Sequence, residues 1–118
     1  MLFVSFMAVS AGAANWVAAG SDPKKGIFFY VDTESVSTQG SYKQAFTKQL
    51  NIPGGNYFII LSLYDCKSNP RRTKPRYIAE YNLTGNVTFS NEVTGLSFRP
   101  VLPESLGKAE ADFICGYR

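Results

Sequence analysis

The sequence predicts an α+β domain: one antiparallel β-sheet with a single C-terminal helix packed on it. Three observations carry that expectation. Residues 57–66 (YFIILSLYDC) are apolar on both faces and rich in β-favouring side chains, as in a central strand. Tyr77, Ala79, Tyr81 and Leu83 alternate with Arg76, Ile78, Glu80 and Asn82, the period of a half-buried antiparallel strand. Strand signals come first and the best helical pattern, residues 103–115, comes last. At 118 residues the chain is long enough for one domain, and its 45% hydrophobic and 18% charged shares are those of a folded protein.

Residues 1–14 (MLFVSFMAVSAGAA) carry no charge and end in small side chains. Leu2 to Val9 has the length of an export-signal core, and Ala11-Gly12-Ala13 fits the small-x-small cleavage pattern. A membrane span would need ~20 apolar residues. The sequence therefore predicts a signal peptide over residues 1–14 and a mature domain over 15–118. The product is expected in the periplasm, the medium or at the cell surface. No cysteine adjoins the expected cleavage point, so neither a lipid anchor nor a transmembrane segment is expected.

The first mature element is the apolar run 16–20, closed by the turn cluster Gly20-Ser21-Asp22-Pro23. Residues 27–32 (IFFYVD) read as a strand covered on both sides. Asp32-Thr33-Glu34-Ser35 and Thr38-Gln39-Gly40 form turns, with Val36 tucked beneath. Residues 42–50 (YKQAFTKQL) read two ways. Tyr42, Ala45, Phe46, Gln49 and Leu50 fit a helical stripe, while Tyr42, Phe46 and Leu50 share one side of a strand. Pro53, Gly54 and Gly55 break the chain before the central strand. Pro70 and Pro75, which lack the N–H of a ladder bond, exclude the basic stretch 67–76 from a sheet interior. Thr84-Gly85-Asn86 turns the chain into a return strand with Val87 and Phe89. In the helix, Pro103 and Glu104 suit the first turn, Leu106, Ala109, Phe113 and Ile114 form the apolar face, and Glu104 is at pairing distance from Lys108.

Cys66 and Cys115 are the two cysteines. In an exported chain they read as a disulfide, closing a loop worth roughly 4 kcal/mol in the chain-entropy account.

The net charge is +3, yet Lys67, Arg71, Arg72, Lys74 and Arg76 fall within ten residues that hold no acid. Such a loop raises the local potential enough to steer an acidic partner, and its guanidinium groups can fork onto carboxylate, sulfate or phosphate. These five residues are the candidate partner-binding site; the bland reading is a solvated turn. Catalytic candidates are lacking. The absence of histidine excludes His-based nucleophile pairs and His metal sites, no nucleotide-binding glycine pattern occurs, and the scattered acids offer no distinguished pair. No cofactor or metal is expected. Nucleic acid is not expected either, because the bordering tyrosines alternate inward as core.

Several landmarks together resemble the surface-adhesin protein E family of Gram-negative bacteria. They are Trp16, "FYVD" at 29–32 followed by Ser35, "LYDC" at 63–66, the aromatic strand 77–81, "RPVLPESLG" at 99–107 and the terminal "FIC" at 113–115. The resemblance spans nearly the whole mature chain, with Phe98 standing where members commonly carry Trp. It implies a small antiparallel sheet with a helix and a Cys66–Cys115 bridge, and it tips residues 42–50 toward strand. It also implies a non-enzymatic exported protein that binds a macromolecule, such as a host matrix or serum protein or an acidic polymer, through loops including 67–76. An inhibitor or accessory protein of another enzyme, for example lysozyme, is the alternative. An uncharged return strand at the edge of an open sheet further predicts a homodimer.

Overall fold

A computed structural model describes residues 14–51 and 54–117. The expected signal peptide, all but Ala14, lies outside the described residues, as do Ile52 and Pro53 of the connecting loop.

The doubly apolar segment takes the sheet interior. Strand β5 (Tyr57–Asp65) pairs with β4 (Tyr42–Asn51) on one side and β6 (Arg72–Tyr81) on the other. Beyond β4 lie β2 (Ile27–Asp32) and the edge strand β1 (Trp16–Asp22); beyond β6 lies β7 (Val87–Glu92). All pairings are antiparallel, in the order β1-β2-β4-β5-β6-β7. Two short strands pair off this path: β3 (Ser37–Gln39) with β4 and β8 (Arg99–Pro100) with β6. The segment with two readings, 42–50, is a strand.

Helix α1 (Leu106–Gly116) crosses one face of this sheet. Val31, Ala45, Tyr64, Val101, Ala111 and Ile114 form the buried cluster between them, with Val36 packed against it as expected. Val31, Val101 and Ile114 each contribute about 1.5–3 kcal/mol by leaving water. Gly20 lets the helix approach β1, since a Cβ there would stand 3.3 Å from that of Ala109. The helix starts later than the sequence predicts. Ser105 is the N-cap, its hydroxyl accepting from the Lys108 N–H, and Glu104 sits outside at φ 59°. Lys108 consequently pairs with Asp112, one turn on, and not with Glu104. Ala111, absent from the expected apolar stripe, is one of its two buried residues. At the other end Lys43 donates to the carbonyls of Ile114 and Tyr117, a cation at the negative pole of the helix. Cys66, just after β5, is bonded to Cys115 in the last helical turn.

The basic stretch is less of a loop than its prolines imply. Strand β6 begins at Arg72 and runs through Pro75, which faces Ser62 where the register slips between Leu61 and Ser62. On the far side of β6, β8 pairs only with Arg72 and Thr73, and β7 only from Tyr77 onward. Pro75 thus stands in the gap between two partners, where a missing N–H is tolerated.

Candidate interaction surface

Alternation along the paired strands sorts side chains onto two faces. Val31, Ala45 and Tyr64 point toward α1, and with them Phe29, Thr47, Ser62 and Thr73. The neighbours in sequence point the other way: Tyr30, Phe46, Lys48, Tyr57, Ile59, Leu61, Leu63, Tyr77 and Tyr81. No described helix covers this second face, and its large side chains are half-buried. The tyrosines of β6 therefore do not point into the helix-covered core, as their alternation suggested; Tyr77 and Tyr81 lie on the open face.

The five basic residues divide between the two faces. Arg71 reaches the helix side and bonds Asp112 at 2.6 Å, where Lys108 also bonds, at 2.5 Å. Two cations on one carboxylate hold Asp112 below the usual range, the Lys108 hydrogen bond acting most and Arg71 adding to it. These residues, with Lys67, Ser68, Pro70 and Val101, line a cavity of about 450 Å³ next to Cys66. Arg72 lies on the open face and grips Asp65 through Nε (3.2 Å) and Nη2 (2.6 Å). Asp65 also accepts from the Ser68 hydroxyl at 2.6 Å and from the backbone N–H groups of Lys67 and Ser68. Its side chain is only 9% exposed. The Ser68 bond first, and Arg72 second, lower the Asp65 carboxyl to about 2. Asp65 is the clasp that shapes the turn after β5.

Lys74 and Arg76 hold no carboxylate among the described residues. Lys74 Nζ stands 5.2 Å from the centre of the Phe98 ring, and the Arg72 guanidinium 5.3 Å from the same ring. Phe98 packs on Tyr42 at 4.8 Å, and Arg76 donates to Gln44 at 2.9 Å. Arg72, Lys74 and Arg76 thus share one end of the open face. Arg71 and Lys67 lie around the corner, against the helix.

Sequence reading missed a second cationic position on this face. Lys48 Nζ lies 5.0 Å from the Trp16 ring and 5.2 Å from the Tyr57 ring, and Tyr57 stacks on Tyr81 at 4.9 Å with their planes 2° apart. Among the described residues it has no carboxylate within ion-pair distance. The strand reading of 42–50 is the signal that finds it, since alternation from Tyr42 places Gln44, Phe46 and Lys48 on one side.

The covered face carries one unusual acid. Glu110 of α1 is half-buried: it accepts from the Tyr64 hydroxyl at 2.9 Å, and its other oxygen is enclosed and unpartnered. Burial raises its carboxyl to about 7 against the opposing Tyr64 bond. Burial chiefly, and the Glu110 charge next, push the Tyr64 phenol well above its usual value.

Among the described residues no group of three or more His, Cys, Asp and Glu could hold a metal ion, and no helix is long and apolar enough to cross a membrane. Compared with known proteins, the chain matches no family model, no curated protein and no solved structure.

Proposed function

We propose that this chain is an exported, non-enzymatic binding protein of the surface-adhesin E type, taking an acidic macromolecular partner through its cationic end. One observation carries the reading. Lys67, Arg71, Arg72, Lys74, Arg76 and Lys108 gather at that end, and the ion pairs they form among the described residues use only Asp65 and Asp112. The surplus faces solvent, where it attracts negative charge and speeds encounter. The disulfide is compatible with export into oxidising surroundings. The alternative, an inhibitor of a basic enzyme such as lysozyme, calls for exposed carboxylates, and this end offers the opposite sign.

The geometry selects the variant that tests it. Arg71 and Arg72 each hold an acid, so removing them perturbs structure as well as charge. Lys67, Lys74 and Arg76 bond no carboxylate. A K67Q/K74Q/R76Q variant is expected to keep its melting midpoint while associating with immobilised polyglutamate about tenfold more slowly, with a flatter salt dependence. Equal association rates for variant and parent would falsify the reading.

A further inference from the structure

Three of the open face's cations stand against aromatic rings. Lys48 is held between Trp16 and Tyr57, and Arg72 with Lys74 against Phe98. A cation against a ring is attracted by the ring's quadrupole and loses part of its water. It then pairs best with an anion that is itself cheap to dehydrate. A sulfate ester spreads one charge over three oxygens and sheds water more readily than a carboxylate, which confines the charge to two.

The two stations are set apart. Lys48 and Gln44, the β4 position level with Lys74, are four residues apart on one strand, about 13 Å at 3.3 Å per residue. Lys74 is two strands over, another ~10 Å. A ligand touching both must extend about 16 Å. Tyr77 and Leu61 lie in the row between, so the path is apolar and suits the C–H face of a sugar ring.

Base stacking fits less well. Tyr57 and Tyr81 stack on each other, and the Trp16 and Phe98 rings already carry cations. From this charge complementarity and spacing we infer that the open sheet face is a docking track for a sulfated polysaccharide, with Lys48–Trp16–Tyr57 as one station and Arg72–Lys74–Phe98 as the other. The inference rests on the proposed cationic end for its second station and names the partner's chemistry.

Trp16 is the only tryptophan and touches Lys48, so its fluorescence reports the first station directly. The protein is titrated with size-fractionated heparin oligosaccharides, with hyaluronan, polyglutamate and single-stranded DNA as comparison polyanions. Heparin hexasaccharide is expected to shift the Trp16 emission saturably, and the disaccharide, too short for both stations, to bind at least about tenfold more weakly. K48Q is expected to weaken hexasaccharide binding about tenfold, read by calorimetry as well as fluorescence. K24Q, which removes the same charge from an exposed turn at residues 23–25, is expected to change it less than about twofold. Equal losses in K48Q and K24Q would reduce the track to non-specific attraction and overturn the inference. Hyaluronan or polyglutamate binding as tightly as heparin would remove the preference for sulfate, tighter binding of DNA would reassign the face to nucleic acid, and no binding of heparin would end the proposal. Should heparin fail while polyglutamate still binds and K67Q/K74Q/R76Q weakens it, the proposed function stands and the polysaccharide alone falls.

Discussion

The two faces of this sheet are built from the same strands and almost the same residue types, yet they solve different problems. The helix-covered face buries Val31, Ala45, Tyr64, Ala111 and Ile114 against one another and is pinned by a disulfide. The open face carries comparable apolar bulk, but with Lys48, Arg72 and Lys74 set among the rings. A charge among rings is tolerated where water or a partner can reach it, and costly where neither can. Glu110 shows the cost on the covered side, where burial raises its carboxyl to about 7. Charge placement thus separates the face that holds the fold from the face left open.

The disulfide should be the largest single term on the covered face. Replacing Cys66 and Cys115 by serine releases the end of α1 from β5 and is expected to cost about 4 kcal/mol, read by denaturant unfolding. Core truncation comes next. Ile114→Ala is expected to lose about 2–5 kcal/mol, whereas Leu63→Ala, half-buried on the open face, should lose less. Equal losses would erase the distinction between the faces.

Glu110 gives the comparison a pH axis. Its carboxyl titrates near 4.5 when unfolded and near 7 when folded, so the folded state holds the proton more tightly between those values. Stability therefore falls as pH rises from about 4.5 to 7, by up to about 3 kcal/mol. Asp65 works in reverse: lowered from 3.8 to about 2, it adds stability that is lost as pH falls through that window. Together they place the stability maximum near pH 4–5. Glu110→Gln, which keeps an acceptor for Tyr64, should flatten the neutral side of the curve, and thermal melts from pH 3 to 8 would show it. A parent maximum above pH 7 would contradict this.

The smallest effect is expected at Arg71. Its pair with Asp112 is half exposed, so Arg71→Ala should cost about 0.5 kcal/mol. Arg72→Ala should cost more, because its partner Asp65 is nearly enclosed. The sequence alone, placing both on a solvated loop, predicts no difference between them and little change from losing both.

That contrast shows how legible the chain was. The central strand was plain because β5 is apolar on both faces, and the Cys66–Cys115 bridge, the late helix and Val36 followed from pattern and pairing. Residues 42–50 were ambiguous because Tyr42, Phe46 and Leu50 serve either period; the ladder with β5 decides it. Pro75 argued against a strand because the gap between β7 and β8 that accommodates it depends on tertiary pairing. The helix start was misplaced by Pro103 and Glu104, when Ser105 supplies the cap. Strands β3 and β8, two or three residues long, are too short to show a period. The basic stretch was visible as charge, but its division between faces depends on β6 beginning at Arg72. Lys48 was hidden because a single lysine in an alternating strand carries no signal until the rings on β1 and β5 surround it.

Tyrosine footprinting tests the division of labour most directly. Under a surface-reactive reagent, Tyr57, Tyr77 and Tyr81 should label in the free protein and Tyr64 should not, since only Tyr64 lies beneath the helix. Heparin hexasaccharide should then protect Tyr57 and Tyr77 and leave the remaining pattern unchanged. Labelling of Tyr64 in the native protein, or open-face tyrosines whose reactivity heparin leaves untouched, would contradict the account.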